Sequence, residues 1–335
     1  MRRTLLIIAI ALQVLVLAYM AGNRELVALT GTVVYLRTAP VDPRDLFRGD
    51  YVRLRYEAST VSYSLAGNAG LVKALSVGST VYSLLTVNES GIAEVTGLAE
   101  KKPDSGLFIK GKIADSWRFG TTSQETASVE YGIEAYFVEQ GKGIEIENQV
   151  GTRNAMQTPL EMEVAIGRDG TAVIRGHRWS LIGIGLEILE SPQRNNSQGR
   201  KSAKLKLTLK NTSQKPLAIV NLPGFCSFSM EPVSPGQRTK IPDRPACANA
   251  VPTDNDVIVL PINESRSYDV DLTDRQWQVF KDNVLTETGT LEWGERFRIV
   301  YHPPSKESSA HLKDAAAVWH GRLPSRAFHG RGNVD

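Results

Sequence analysis

The chain has 335 residues, 41% of them hydrophobic and 22% charged, with 39 Lys and Arg against 36 Asp and Glu. Those proportions sit near the globular average and exclude a disordered chain, a collagen-like repeat and a multi-span membrane protein, while leaving room for two domains of ordinary size. A net charge of +3 is too small for a nucleic-acid footprint unless it is concentrated, and it is not: residues 1–22 carry +2, residues 23–178 carry −2 and residues 179–335 carry +3.

The first element is an apolar run. Arg2 and Arg3 precede residues 5–21, in which only Gln13 is polar, and Gly22, Asn23, Arg24 and Glu25 follow. As a helix this run spans roughly 26 Å, just short of a hydrocarbon core of about 30 Å. Two readings compete, a cleaved signal peptide and an uncleaved signal anchor. The exit Ala18-Tyr19-Met20-Ala21-Gly22 offers no clean small-x-small cleavage site, which favours the anchor. Arginines before the run and a cancelling Arg24/Glu25 pair after it place the N-terminus in the cytoplasm. The expectation is a lipid-bilayer contact through residues 4–22, with residues 23–335 outside.

Short strands separated by turn residues come next. Residues 32–38 (TVVYLRT), 51–56 (YVRLRY), 80–87 (TVYSLLTV), 91–98 (GIAEVTGL), 106–113 (GLFIKGKI), 133–138 (IEAYFV) and 162–166 (MEVAI) have strand length and composition. Asp42-Pro43-Arg44-Asp45 suits one helical turn; residues 66–75 and 158–164 are ambiguous. Beyond residue 178 the texture shifts. Residues 204–210 (KLKLTLK) alternate strictly, Lys outward and Leu inward, as in a sheet with one wet face. Further strands are expected at 217–220, 257–260, 267–270 and 296–301. Residues 308–319 are the best helix candidate, although the stretch from Trp319 to Leu323 reads equally well as strand. The fold class is therefore mainly β. A transmembrane helix (1–22) precedes an antiparallel, barrel-like domain (23–178) and an immunoglobulin-like β-sandwich (179–335).

The most distinctive segment is Gly49-Asp50-Tyr51-Val52-Arg53-Leu54-Arg55-Tyr56, led by Pro40-Val41-Asp42-Pro43. It resembles the signature of the GDYXXLXY family of bacterial membrane-associated proteins, with Gly49, Asp50, Tyr51, Leu54 and Tyr56 at all five fixed positions. Residues 131–137 (YGIEAYF) and 164–170, where a strand runs into Asp169-Gly170, are similar to that family too. The resemblance spans about residues 28–176. It implies membrane association in a bacterial envelope and names no chemistry. Read physically, Gly49-Asp50 is a turn pair. The strand after it points Val52, Leu54 and Tyr56 to one face and Tyr51, Arg53 and Arg55 to the other.

Residue patterns that could carry chemistry are few. Ser229-Met230-Glu231-Pro232 matches a nucleophile pattern of signal-peptidase-like hydrolases, but it follows Gly49 by 180 residues instead of preceding it, and only arginines lie near that glycine. His302, His311, His320 and His329 recur every nine residues, a spacing that puts no two on one face as metal ligands. No metal, cofactor or nucleic-acid partner is expected. Asn88-Glu89-Ser90 and Asn211-Thr212-Ser213 fit glycosylation sequons. Cys226 and Cys247, if exported, suit a disulfide. Two functions remain in view. One is a non-enzymatic interaction or scaffolding module with a partner protein in the envelope. The other is an envelope hydrolase or small-ligand binder, using Asp42, Asp45, Asp50 and Tyr51 with the Arg53/Arg55 face.

Overall fold

The structure is a computed structural model. It describes residues 2–39, 51–62, 76–117, 126–139, 142, 145–146, 149, 156–190, 202–233, 239–291 and 295–332.

The apolar run is the start of a longer helix, α1 (Arg2–Thr30). It continues past the expected end because its last turn is held from outside the bilayer-length segment. Val27 is buried against the protein, the Thr30 hydroxyl donates to Leu26 O (2.8 Å), and Gly31 N–H donates to Val27 O (2.8 Å). The helix then enters the first strand without a linker. Residues 5–17 of α1 are exposed wherever they are large and apolar, so this helix is no core element of a soluble fold.

The first set of strands is β1 (Thr32–Ala39), β2 (Tyr51–Arg53), β3 (Arg55–Tyr56), β4 (Thr60–Ser62), β5 (Thr80–Val87), β6 (Ala93–Ala99), β7 (Leu107–Trp117), β8 (Thr126–Glu130), β9 (Ala135–Phe137), β10 (Leu160–Ile166) and β11 (Ala172–Trp179). They form sheets ordered β11-β10-β1-β3 and β4-β8-β7-β5-β6, with β2 paired to β9. Their inward side chains build one hydrophobic core, from Val34 and Leu36 through Leu54, Tyr56, Ile109 and Ile113 to Met162 and Val164.

The second set is β12 (Ile182–Glu190), β13 (Lys204–Asn211), β14 (Leu217–Val220), β15 (Phe228–Pro232), β16 (Val257–Leu260), β17 (Ser265–Asp271), β18 (Val279–Lys281), β19 (Val284–Thr286), β20 (Arg296–Tyr301), β21 (Leu323–Pro324) and β22 (Phe328–His329). Here the orders are β12-β13-β17, β14-β16 and β15-β20-β21, with β22 also on β20 and β18-β19 a hairpin. A second core runs from Ile182 to Phe328 around Trp277, Phe228, Phe297 and Tyr301, and a small third cluster joins Ala218 and Val220 to Leu312 and Val318. Among the described residues every ladder is antiparallel.

The alternation in β13 is as expected: Leu205, Leu207 and Leu209 are buried, and Leu205 and Leu207 sit opposite Val270 and Tyr268. The helix expected over 308–319 is not one helix. Lys306–Ser309 and Ala315–Ala317 are separate short turns, because Leu312 and Val318 both turn into the third cluster and pull the backbone off a continuous helical path. Cys226 and Cys247 are disulfide-bonded. Closing a segment with a sequence separation of 21 residues restricts the unfolded chain and contributes about 3 kcal/mol.

Candidate functional site

The signature segment is placed from Tyr51 onward; Gly49 and Asp50 lie outside the described residues, as do Asp42 and Asp45, and of Tyr51 only the backbone is described. This one segment, Tyr51 to Ser62, meets three partner strands in turn. Tyr51, Val52 and Arg53 pair with Phe137, Tyr136 and Ala135. Leu54 N–H then donates to Glu134 O (2.7 Å), and Arg55 and Tyr56 pair with Ala39 and Thr38. After a 3-10 turn, Thr60–Ser62 pairs with β8. The period-two pattern holds throughout: Leu54 and Tyr56 are buried, Val52 is half-buried, and Arg53 and Arg55 are exposed.

Two buried tyrosines fasten this segment to the second family-like stretch in a reciprocal way. Tyr56 Oη donates to Ile133 O (2.7 Å), and Tyr131 Oη donates to Ala58 O (2.6 Å) while accepting from Ser83 Oγ (2.9 Å). Gly132, at φ +78°, supplies the left-handed turn between Tyr131 and Ile133, and the Glu134 carboxylate accepts Tyr131 N–H. Burial, with the nearby Glu134 charge adding to it, pushes both phenols far above their ordinary range. Neither can serve as a base near neutrality. Leu54 and Tyr56 are thus structural members of the signature, and the sequence gives no sign that Tyr131 answers Tyr56.

The residue after the signature opens a different arrangement. Glu57 lies 3.7 Å from Arg298 and 3.8 Å from Arg322. Arg322 also binds Glu231, whose other oxygen is 3.4 Å from His302 Nε2, and that nitrogen is 2.8 Å from Ser229 Oγ. Ser229 and Glu231 share a face of β15, and Glu231 stands opposite Arg298 on β20. Beside this lies a triad in which Arg37 and Glu161 are buried and Arg178 reaches the surface. Glu161 binds Arg37 (3.0 Å) through one oxygen and Arg178 (2.7 Å) through the other; Arg178 also covers the Tyr35 ring at 3.5 Å and donates to Ser90 O (2.6 Å). Arg37 donates in turn to Arg322 O. A third contact joins Glu89, whose carboxylate accepts Lys306 N–H (2.8 Å), to His320 at 3.9 Å. The strands of the two cores therefore meet across a polar seam of alternating charge, built from residues that no local sequence pattern singles out.

The Ser229–His302 pair lacks the arrangement of a catalytic triad. Glu231 approaches the same imidazole nitrogen as Ser229 and so competes with the serine, whereas an acid that orients a catalytic base must bind the other nitrogen. The other three C-terminal histidines have partners of their own: His311 donates to Pro252 O, His320 to Pro304 O, and His329 Nδ1 accepts Arg331 N–H. Among the described residues no group of three or more metal-ligating side chains is assembled. Asn211 is fully buried and its amide donates to Lys215 O, Leu260 O and Pro261 O, so its sequon is closed to modification.

Burial tends to raise the Glu231 carboxyl, but the bond to His302 and the Arg322 charge outweigh it and hold the group below the usual glutamate value of 4.5. A depressed carboxylate stabilises the fold above its unfolded value and loses that contribution as pH falls through the folded one. Stability should accordingly drop as pH is lowered below 4.5, and Glu231→Gln should flatten that drop in a series of thermal melts. An unchanged pH slope in the variant would remove the seam from the acid response.

Residues 13–176 match the family model described as GDYXXLXY protein. No curated protein and no solved structure matches the chain. The match takes in α1 from residue 13 onward, the signature and both tyrosines of the reciprocal pair, and it stops before β11 ends. The segment from residue 13 to residue 176, just under half of the chain, is thus similar to the GDYXXLXY protein family.

Proposed function

We propose that this chain is a single-pass, membrane-anchored protein of the bacterial envelope. Its N-terminus lies in the cytoplasm, its domains 23–178 and 179–335 lie outside, and it works by holding a protein partner. The observation that carries the anchor is the continuity of α1 with the β fold. A cut near residue 22 would leave Asn23–Thr30 as a helix end whose buried Val27 and whose junction at Gly31 are already part of the folded unit. Within Arg3–Thr30 an 18-residue window has a mean hydropathy of 2.5 and none of that window is buried, which suits lipid. The Cys226–Cys247 bond suits an oxidising compartment. The separate cores support the division into two domains, and the charged seam between them holds a composite surface in one arrangement.

The chain should stay in the membrane pellet at full length after alkaline extraction. A reporter active only outside the cytoplasm, fused after residue 335, should be active, and the same reporter fused ahead of Arg2 should be silent. A truncated soluble product would overturn the anchor, and a silent C-terminal fusion would overturn the orientation. Affinity purification from detergent-solubilised membranes should return a stoichiometric partner protein.

A further inference from the structure

The junction between α1 and the first core leaves no room for a hinge. At Gly31 a Cβ would lie 2.6 Å from Val27 O and 3.0 Å from Ile166 N, so only glycine lets the helix turn directly into β1. At Gly167 a Cβ would lie 3.1 Å from a Val27 methyl carbon. The turn after β10 is closed by Gly167 N–H to Thr171 O (2.8 Å) and is tied to β7 by Lys110 N–H to Gly170 O (2.9 Å). Asp169 turns its carboxylate onto Thr171, leaving Arg168 exposed at the tip with Lys110 beside it. The last turn of α1 is thereby a fixed part of this end of the fold.

That turn has two unlike sides. Val27 faces the protein at 8% exposure, whereas Leu26 and Leu29, three residues apart on the helix, are 57% and 73% exposed; Val33, at the start of β1, is 41% exposed. The apolar surface of the spanning run thus continues past Arg24 and Glu25 along the side of α1 turned away from the fold. The eight residues from Gly22 to Leu29 add about 12 Å to a run that alone falls just short of the hydrocarbon thickness.

We propose that Leu26, Leu29 and Val33 form a surface that inserts into the interfacial layer of the bilayer, with Arg24 on the same helix and Arg168 and Lys110 at the turn against Val27 in the headgroup layer, so that the first β domain rests on the membrane and does not stand off it. The proposal deepens the anchor reading and rests on it. Because Glu25 and Asp169 nearly balance the three cations, the attachment is by apolar insertion and is insensitive to salt, unlike a polybasic contact.

The structure has no free cysteine, so single cysteines placed in the full chain take one fluorophore each. Leu12→Cys, Leu29→Cys and Arg168→Cys would be reconstituted in phosphatidylcholine vesicles carrying nitroxide lipids with shallow or deep labels. At Leu29 the shallow label should lower fluorescence about twofold, in low salt and at ~1 M salt alike, with aqueous iodide having little effect. Arg168 should respond to both shallow label and iodide. If Leu29 is quenched by iodide and not by lipid, or is shielded from both as a protein contact would shield it, the proposal fails while the anchor stands. Leu12 separates the two: no quenching there by the deep label sinks the anchor reading itself.

Discussion

Replacing Tyr56 by alanine should destabilise the first core by about 3–5 kcal/mol. Tyr56 is among the largest fully buried side chains, and its removal empties a site enclosed by the signature strand, β1 and the Tyr131 turn. Part of the loss is polar. Tyr56→Phe keeps the ring but strands Ile133 O, a cost of about 1–3 kcal/mol. Tyr131→Phe does the same to Ala58 O and also abandons the Ser83 hydroxyl. Both tyrosines join the same two segments in opposite directions, so the double Phe variant should lose less than the sum of the singles. Urea titration followed by circular dichroism measures all three. A Tyr56→Phe variant within ~0.5 kcal/mol of wild type would show that the reciprocal bonds do not hold the signature in place.

Glu161→Ala should cost a comparable 3–5 kcal/mol, roughly, for a different reason. The side chains of Arg37 and Glu161 are only 2% and 4% exposed. Without Glu161 the Arg37 guanidinium stays buried with its charge uncompensated, while Arg178 keeps Ser90 O and the Tyr35 ring. The informative partner is the double variant Arg37→Met with Glu161→Leu. Replacing both ends of a buried pair by apolar groups of similar size is often close to neutral, so this variant should recover most of the loss. Failure to recover would mean that the Arg37 contact with Arg322 O, across the seam, is worth more than the ion pair itself.

The second variant also tests whether the two cores act as a unit. Arg37 belongs to β1 and Arg322 lies just before β21, and their contact sits beside the Glu57–Arg322–Glu231 chain. A surface shared by both cores, and used to hold a partner, needs them at a constant separation. Alternating charges suit this role, since Glu57, Glu161 and Glu231 each meet two basic side chains.

Much of the fold was legible because its signals are local. The strands at 80–87, 217–220, 257–260 and 296–301 appear in the structure at those bounds, since alternation and β-branched composition report burial on one face wherever the chain is bounded by turn residues. Strands β8 and β11 went unseen. TASVE is short and weakly apolar, and AVIRGHRW carries three polar residues on faces that are only half-covered. The signature was recognisable as a pattern, and its buried and exposed positions followed from a period of two. Its meaning was not, because a short segment that passes from Tyr136 to Thr38 to Ser128 leaves no trace of those partners in its own residues.

What the sequence determined by itself is the apolar helix and the inward alternation of the strands, both set by how each residue partitions between water and an apolar medium. The opening charge balance belongs there too: its most meaningful share is the pair Arg2 and Arg3, ahead of a run that lipid can accept. Tertiary structure alone decided that α1 is fused to the first core through Val27 and Gly31, that Tyr131 answers Tyr56, and that Glu57, Arg322, Glu231 and His302 meet. Each of these joins residues tens to hundreds of positions apart, and a contact of that kind is selected by the packing of whole sheets, not by the preferences of the residues that make it.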